Sequence, residues 1–540
     1  MIPVNRVGRL LFLAGVLGAF SPVGMAQKAP ETRDQLTAIP KAGLDAIAAN
    51  LREKQNRTLE EKKLDSRLLH GMRAVVARQA GQANPLPPYV DEFLSANVRA
   101  DNAVNVTIRA TVADDLLAAL EIAGGQELAS FPQFDSVTVR LPITSLLAVA
   151  RRTEVRFIGI TEKPTTNRRI ATPEEIQERL HRFPHLLEKI GSVTSEGVVA
   201  HQANQAISTG IDGTGVYVCV ISDGTDSLAA RQAAGDLPPT VNVLPGQAGP
   251  GDEGTAMLEI VHDMAPGATL GFATGFPSEP QMAANIIGLR NGGCDIIVDD
   301  LTFFAEGAFQ DGPVAQAANT VTASGALYVS SAGNSGNLTH ASSGIWEGDF
   351  LDSGTSNAVI DDFEGKPVKL HWFGTAPYNV LTYKTGGVTL KWSDPLGAAT
   401  NDYDLFVMNS SRTMILNQSV TSQTGAQDPY EGINCSPMTC PVGATLVVAQ
   451  YAGTTRALRL DTHRGKLAVG STGSTFGHNA AASAITVAAV DVAKAEITGF
   501  SGGPTIPVEV YSSDGPRKMF YNPDGTAMTP GNVLFATGGA

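Results

Sequence analysis

Two carboxylates and one side-chain amide stand at three points where an apolar run gives way to a loop. Asp223 closes the run VYVCVISDG, Glu253 opens DEGTAMLEIVHDMAPGA, and Asn334 ends ALYVSSAGNSG. In an open α/β sheet such strand ends and helix starts are where ligands and catalysis sit. Carboxylates placed there can act as general acids and bases, and an amide can donate to an oxygen that gains charge. Read singly, each residue also has a plainer role. Asp223-Gly224 is a turn dipeptide, Asn334 beside Gly is a turn former, and Glu253 lies where a helix dipole favours an acid.

The elements that would position these groups alternate. From Gly215 the apolar runs VYVCVIS, TLGFAT, DIIVDD, ALYVSS and AITVAAVD are separated by helical spacing in TAMLEIVHDM, PQMAANIIGLRNG and PVAQAANTVTASG. That order predicts a parallel sheet covered on both faces, an α/β class. The alternation stops after Asn334 and resumes near Ala484. Between them PVKLHWFG, GVTLKWSDP, YDLFVMN, TLVVAQY and RALRL predict an inserted antiparallel β-sandwich or jelly roll. Upstream, after a charged helical stretch, NVTIRAT, VADDLLAALEIAG, QELASF, FDSVTVRLP, ITSLLAVARR and VRFIGIT follow the β-α-β-β-α-β order of a ferredoxin-like fold.

Taken together, the three polar segments in this order resemble the subtilase clan of serine peptidases. The resemblance implies that Asp223 orients the general base, with Asp226 as its local competitor, and that Asn334 donates to the oxyanion. Most subtilases carry a His at the start of the HGTHVAG helix, ahead of an APGA turn. Aligned on that turn, this chain has Glu253 there, followed by Gly254 and Thr255. Glutamate is the base of the sedolisins, the acid-acting branch of the clan. Sedolisins place an aspartate one helical turn on, where Met257 stands, and an aspartate where this chain has Asn334. The chain therefore resembles a hybrid of the two branches. Two neighbouring carboxylates resist ionising together and can share a proton. A free Glu titrates near about 4.3 and a His near about 6.5, so activity should move toward acid. His262, nine residues on in the same helix, reads as structural.

The nucleophile has no place in this sequence. GTSNAV holds Ser356 but leads into Val-Ile-Asp-Asp-Phe, and GTAMTPG puts Ala527 in the serine position. SSDGP at Ser512 is the counterpart of the segment that precedes the nucleophile in the family, so the serine is expected beyond Ala540. The same resemblance casts the ferredoxin-like region as a propeptide that inhibits its own enzyme. The expected organisation is a signal peptide over 1–26, a helical propeptide part over 27–100, a ferredoxin-like domain over 101–162 and a linker and processing region over 163–200. The catalytic domain follows over 201–345 and 469–540, with the insert at 346–468.

Composition narrows the class. With 540 residues and 43% hydrophobic content the chain is a folded multidomain protein. Its 53 acidic and 39 basic residues give a net charge of −14, which excludes a nucleic-acid partner. Arg6 and Arg9 ahead of the apolar run Leu10 to Phe20 read as a secretory signal, and no later run spans a bilayer, so the protein is expected in the periplasm or outside the cell. Cys435 and Cys440 could close a small disulfide. Cys219 and Cys294 read as buried thiols in apolar strands. No cofactor is required; structural calcium is weakly suggested by Asn401, Asp402 and Asp404 and by Asp361 and Asp362, which equally read as solvated loop acids. The expected partners are protein or peptide substrates and the chain's own propeptide. Two alternatives stand beside the peptidase: a pseudopeptidase that binds peptides, and a binding protein whose sandwich exposes aromatics around Trp392 and Tyr403.

Overall fold

The structure, a computed structural model, describes residues 53–82, 87–167, 194–492 and 508–538. The expected signal peptide and most of the linker lie outside the described residues. Strands β1 (Ala103–Ala110), β2 (Gln126–Phe131), β3 (Ser136–Pro142) and β4 (Val155–Ile160) form an antiparallel sheet in the order β2-β3-β1-β4. Helices Asp114–Ile122 and Leu146–Ala150 connect them, and the helix Ser66–Gln79 shares their core through Leu68, Leu69 and Met72. Alternation along β1 buries Val104, Val106 and Ile108 on that core, as a period of two requires. A two-residue strand β5 (Thr165–Thr166) follows and pairs elsewhere.

The central sheet has six parallel strands in the order β22-β11-β9-β6-β8-β7. They are β6 (Tyr217–Ser222), β7 (Asn242–Val243), β8 (Thr269–Thr274), β9 (Ile296–Asp299), β11 (Leu327–Ser331) and β22 (Ile485–Val487), with β10 (Leu301–Thr302) just past the end of β9. Val218 and Val220 of β6 face the helix Glu253–Met264 through Leu258. Cys219 and Ile221 face the helices Glu279–Asn291 and Pro313–Ala323 on the other side. Helices thus cover both faces.

Between β11 and β22 the chain builds two antiparallel sheets. One joins β12 (Ile345–Asp349), β20 (Ala457–Asp461), β15 (Gly387–Trp392) and β18 (Tyr430–Asn434). The other joins β17 (Ile415–Ser419), β16 (Asp402–Met408), β19 (Thr445–Ala452), β14 (Asn379–Tyr383) and β21 (Lys466–Leu467), with β13 (Lys369–Leu370) on β19. Val388, Leu390 and Leu460 of the first sheet meet Leu405, Val407 and Leu446 of the second in one core. Trp392 and Tyr403 belong to that core and have no exposed surface, so they are not the surface aromatics considered from sequence.

Two sequence expectations are corrected here. Cys219 and Cys294 are not free thiols: they form a disulfide with Cα atoms 6.0 Å apart, and Cys435–Cys440 forms a second. The apolar setting suggested thiols; the adjacency of β6 and β9, which brings the two together, is a property of sheet order that local pattern does not carry. Asp402 and Asp404 are likewise not solvated loop acids. They lie buried on β16 and take a cation from this same chain: Lys54 Nζ donates to Asp402 Oδ1 at 2.8 Å and to Asp404 Oδ1 and Oδ2 at 2.6 and 2.8 Å. Asn401 hydrogen-bonds Asp394, and Asp361 accepts from Val368 N. Among the described residues no cluster of His, Cys, Asp or Glu is arranged to hold a metal ion, and no helix is long and apolar enough to cross a membrane.

Candidate functional site

Asp223 follows directly on β6, and its Oδ1 accepts from three backbone amides: Gly224 at 2.6 Å, Glu253 at 2.9 Å and Gly254 at 3.2 Å. It therefore caps the helix that Glu253 opens, joining a carboxylate to the positive end of the helix dipole. Glycine is needed beside it. A Cβ on Gly251, whose φ is +116°, would lie 2.2 Å from Asp223 Oδ2. Asp226, the competitor, is exposed and accepts from Gly251 N at 3.0 Å, so it fixes the loop. Glu253 is 7% exposed, in the first turn of its helix. Asp223 thus holds the main chain of Glu253, where the sequence suggested a partner for its side chain.

Asn334 sits past β11 on a loop braced by the SSDGP segment: Ser335 N donates to Ser513 Oγ at 2.9 Å, and Ser513 N donates to Gly333 O. Its side chain does not face another turn. Asn334 Nδ2 donates to the backbone carbonyl oxygen of Asn167 at 2.6 Å. Asn167 follows β5, which lies antiparallel on β10 with Thr166 opposite Leu301 and Thr165 opposite Thr302, and Asn167 N donates to Asp300 O at 3.0 Å. A piece of the N-terminal region therefore lies on β10 as an added strand, and the Asn167 carbonyl that follows it is held by the predicted oxyanion donor.

The Asn167 side chain is 7% exposed. Its Oδ1 accepts from Arg464 Nη2 at 2.5 Å, and its Nδ2 donates to Ser331 Oγ at 2.9 Å and Thr302 Oγ1 at 3.1 Å. Arginine has no acceptor, so the amide oxygen is the atom that faces it. Burial lowers the pKa of the Arg464 guanidinium, against which the charges of Asp300, Glu253 and Asp461 act. Arg464 and Asn334 thereby converge on Asn167, and the charge of Glu253 acts on Arg464. Arg464 was not singled out from sequence, because it comes from the insert, on the turn between β20 and β21.

Beneath β10 lies a buried network that sequence reading also missed. His478 has no exposed surface; its Nδ1 is 2.6 Å from Glu306 Oε2 and its Nε2 is 3.1 Å from Asp299 Oδ1. Burial alone would lower its pKa, but the two carboxylates hold it up to about 10. Asn479 Nδ2, next in the chain, donates to Leu301 O at 2.8 Å and to Ser330 Oγ at 2.9 Å. The network positions β10 and hence the strand paired with it. Behind the Asn334 loop opens a cavity of about 430 Å³ lined by Ala332, Ala480, Ala481, Thr486 and Ser513.

The other sequence candidates lie apart. Ser356 is exposed ahead of the helix Ala358–Glu364, which Asn357 caps and which packs on the insert. Ala527 pairs with Tyr521 in a loop. His262 lies toward the far end of its helix.

No family model matches the sequence, and no curated protein does. Among solved structures, the chain is similar to fervidolysin from Fervidobacterium pennivorans, a keratinolytic enzyme related to subtilisin, at 15% identity over 44% of this chain and 41% of that one (TM-score 0.28). It is similar to the epidermin leader peptide processing serine protease of Staphylococcus aureus at 10% identity over 44% and 62% (TM-score 0.31). The CspB protease of Clostridium perfringens matches at 12% identity over 63% and 82% (TM-score 0.32). The chain spans less than two thirds of the length of the first two.

Proposed function

We propose that this chain carries the base and the oxyanion donor of a secreted peptidase of subtilisin and sedolisin type, which hydrolyses proteins or peptides through an acyl-enzyme on a serine not assigned among these 540 residues. Glu253 is the general base, Asp223 positions it through the helix cap, and Asn334 stabilises the oxyanion. One observation carries the reading: the Asn334 amide donates to the carbonyl oxygen of an extended segment paired with β10, which is what an oxyanion donor does to a bound substrate. The 103–160 domain and the β5 segment then act as a built-in inhibitor. The two disulfides suit an oxidising compartment.

The test is hydrolysis of an unfolded protein substrate between pH 3 and 8 by the full-length encoded protein, which must carry the serine that residues 1–540 do not place, and by its Glu253→Gln variant, with a fluorophosphonate probe and peptide mapping to locate the activated serine. The expected result is activity favouring acid pH, cut at least about a hundredfold in the variant. Tight peptide binding with no hydrolysis and no labelled serine at any pH would replace this reading with that of a peptide-binding cleft.

A further inference from the structure

The segment in the cleft is held by more than its backbone. A strand added to a sheet edge gains affinity from main-chain bonds and selectivity from its side-chain pockets. Here three groups from three separate elements close on the Asn167 amide: Thr302 from β10, Ser331 from β11 and Arg464 from the insert. Arg464 is brought there at a cost. Its φ is +68° and that of His463 is +44°, two successive non-glycine residues in the left-handed region, which side chains disfavour. His463 stacks on Phe304, just beyond β10, with ring centroids 4.0 Å apart, and its backbone N donates to Asp461 Oδ1. A turn strained in this way and clamped against the cleft wall is built to deliver the guanidinium.

We propose that Thr302, Ser331 and Arg464 select asparagine, in any protein substrate, at the position that Asn167 holds, the residue whose carbonyl oxygen Asn334 meets. An alanine there would leave two hydroxyls and a guanidinium N–H without their partner in a closed pocket, and sites built to hydrogen-bond a substrate reject analogues that lack the group. An aspartate would keep Arg464 and the hydroxyls as donors but would lose the N–H that the Asn167 amide supplies, and it would set a second carboxylate beside Asp300. In net terms water supplies a hydroxyl to the Asn167 carbonyl carbon and a proton to the departing amine as the C–N bond breaks. The hydrolytic step rests on the peptidase reading; the pocket's recognition of asparagine does not.

Two measurements on the full chain test it. The first is cleavage of quenched fluorescent peptides carrying Asn, Asp, Gln or Ala at the varied position, with N-terminal sequencing of the chain after incubation. We expect a new N-terminus at Arg168, a preference for Asn over Ala of at least tenfold, and collapse of that ratio in Arg464→Ala. Hydrolysis with no preference, or self-cleavage elsewhere, overturns the proposal and leaves the peptidase reading standing. The second measurement is amide hydrogen exchange at 300–302 in the wild type and in Asn167→Ala. Faster exchange in the variant supports the pocket even if nothing is hydrolysed, in which case the peptidase reading fails alone; unchanged exchange overturns the pocket.

Discussion

His478 shows how much a single buried side chain governs here. With both ring nitrogens on carboxylates, it is the cation that lets Asp299 and Glu306 remain inside the fold. Removing one partner of a buried charge cluster typically costs about 3–5 kcal/mol, because the remaining charges lose their compensation. His478→Ala should therefore lower unfolding stability by about that amount in a urea titration. Because β10 is positioned by the same network, hydrogen exchange at 300–302 should rise with it. A loss under about 1 kcal/mol would count against the buried-charge argument.

At the scale of elements, what could be read locally was read, and what depended on distant pairing was not. VYVCVIS forms β6, and the helix opened by Glu253 runs to Met264 as its spacing requires. NVTIRAT overlaps β1 to its end at Ala110 and GVTLKW is β15, both from alternation. Asp223, Glu253 and Asn334 are marked by the junctions they occupy. Asn167 and Arg464 carry no such mark: their partners lie 167 and 297 residues away along the chain, and only the assembled sheets bring them together. The Cys219–Cys294 bridge was missed for the same reason. It spans 75 residues where Cys435–Cys440 spans 5. Closing the longer loop removes more freedom from the unfolded chain, about 4 kcal/mol against about 2 in the loop-entropy description. Cys219→Ala with Cys294→Ala should therefore lower the denaturation midpoint more than the matching pair at 435 and 440. The reverse order would place the effect in the folded state.

Across the whole molecule, the groups with shifted pKa values set a pH range for the fold. Burial pushes Asp402 up to about 6 and Glu431 up to about 8, and His478 is held up to about 10. Each binds its proton more tightly when folded, so its stabilisation is complete below its ordinary pKa and is lost as pH rises through the folded value. Burial pushes His371 and His463 down to about 3, so their contribution is lost as pH falls from about 6.5 toward 3. Between pH 4 and 6 these trends offset one another. Above 6.5 the losses from Glu431 and His478 dominate, with Lys391, lowered by burial to about 7, opposing only in part. The Tm should be higher at pH 5.5 than at pH 8. Lys54→Met, which strips the ammonium from Asp402 and Asp404, should lower Tm at both values and more at pH 8, where Asp402 cannot take up a proton instead. An equal loss at both pH values would count against the charge argument.

The N-terminal region is moored mainly to the insert. Besides Lys54, Arg57 donates to Val420 O, Ser66 Oγ accepts from Val420 N, and Arg109 grips Asp428 with two bonds of 2.6 and 2.8 Å. On the peptidase reading proposed above, the segment from Thr165 to Asn167 is an intramolecular ligand whose local concentration is set by anchors on the insert, on the order of millimolar for a short tether. A peptide added from solution must outcompete that figure before it can enter. Loosening the Lys54 and Arg109 moorings on the insert would admit it sooner than any change within the cleft itself.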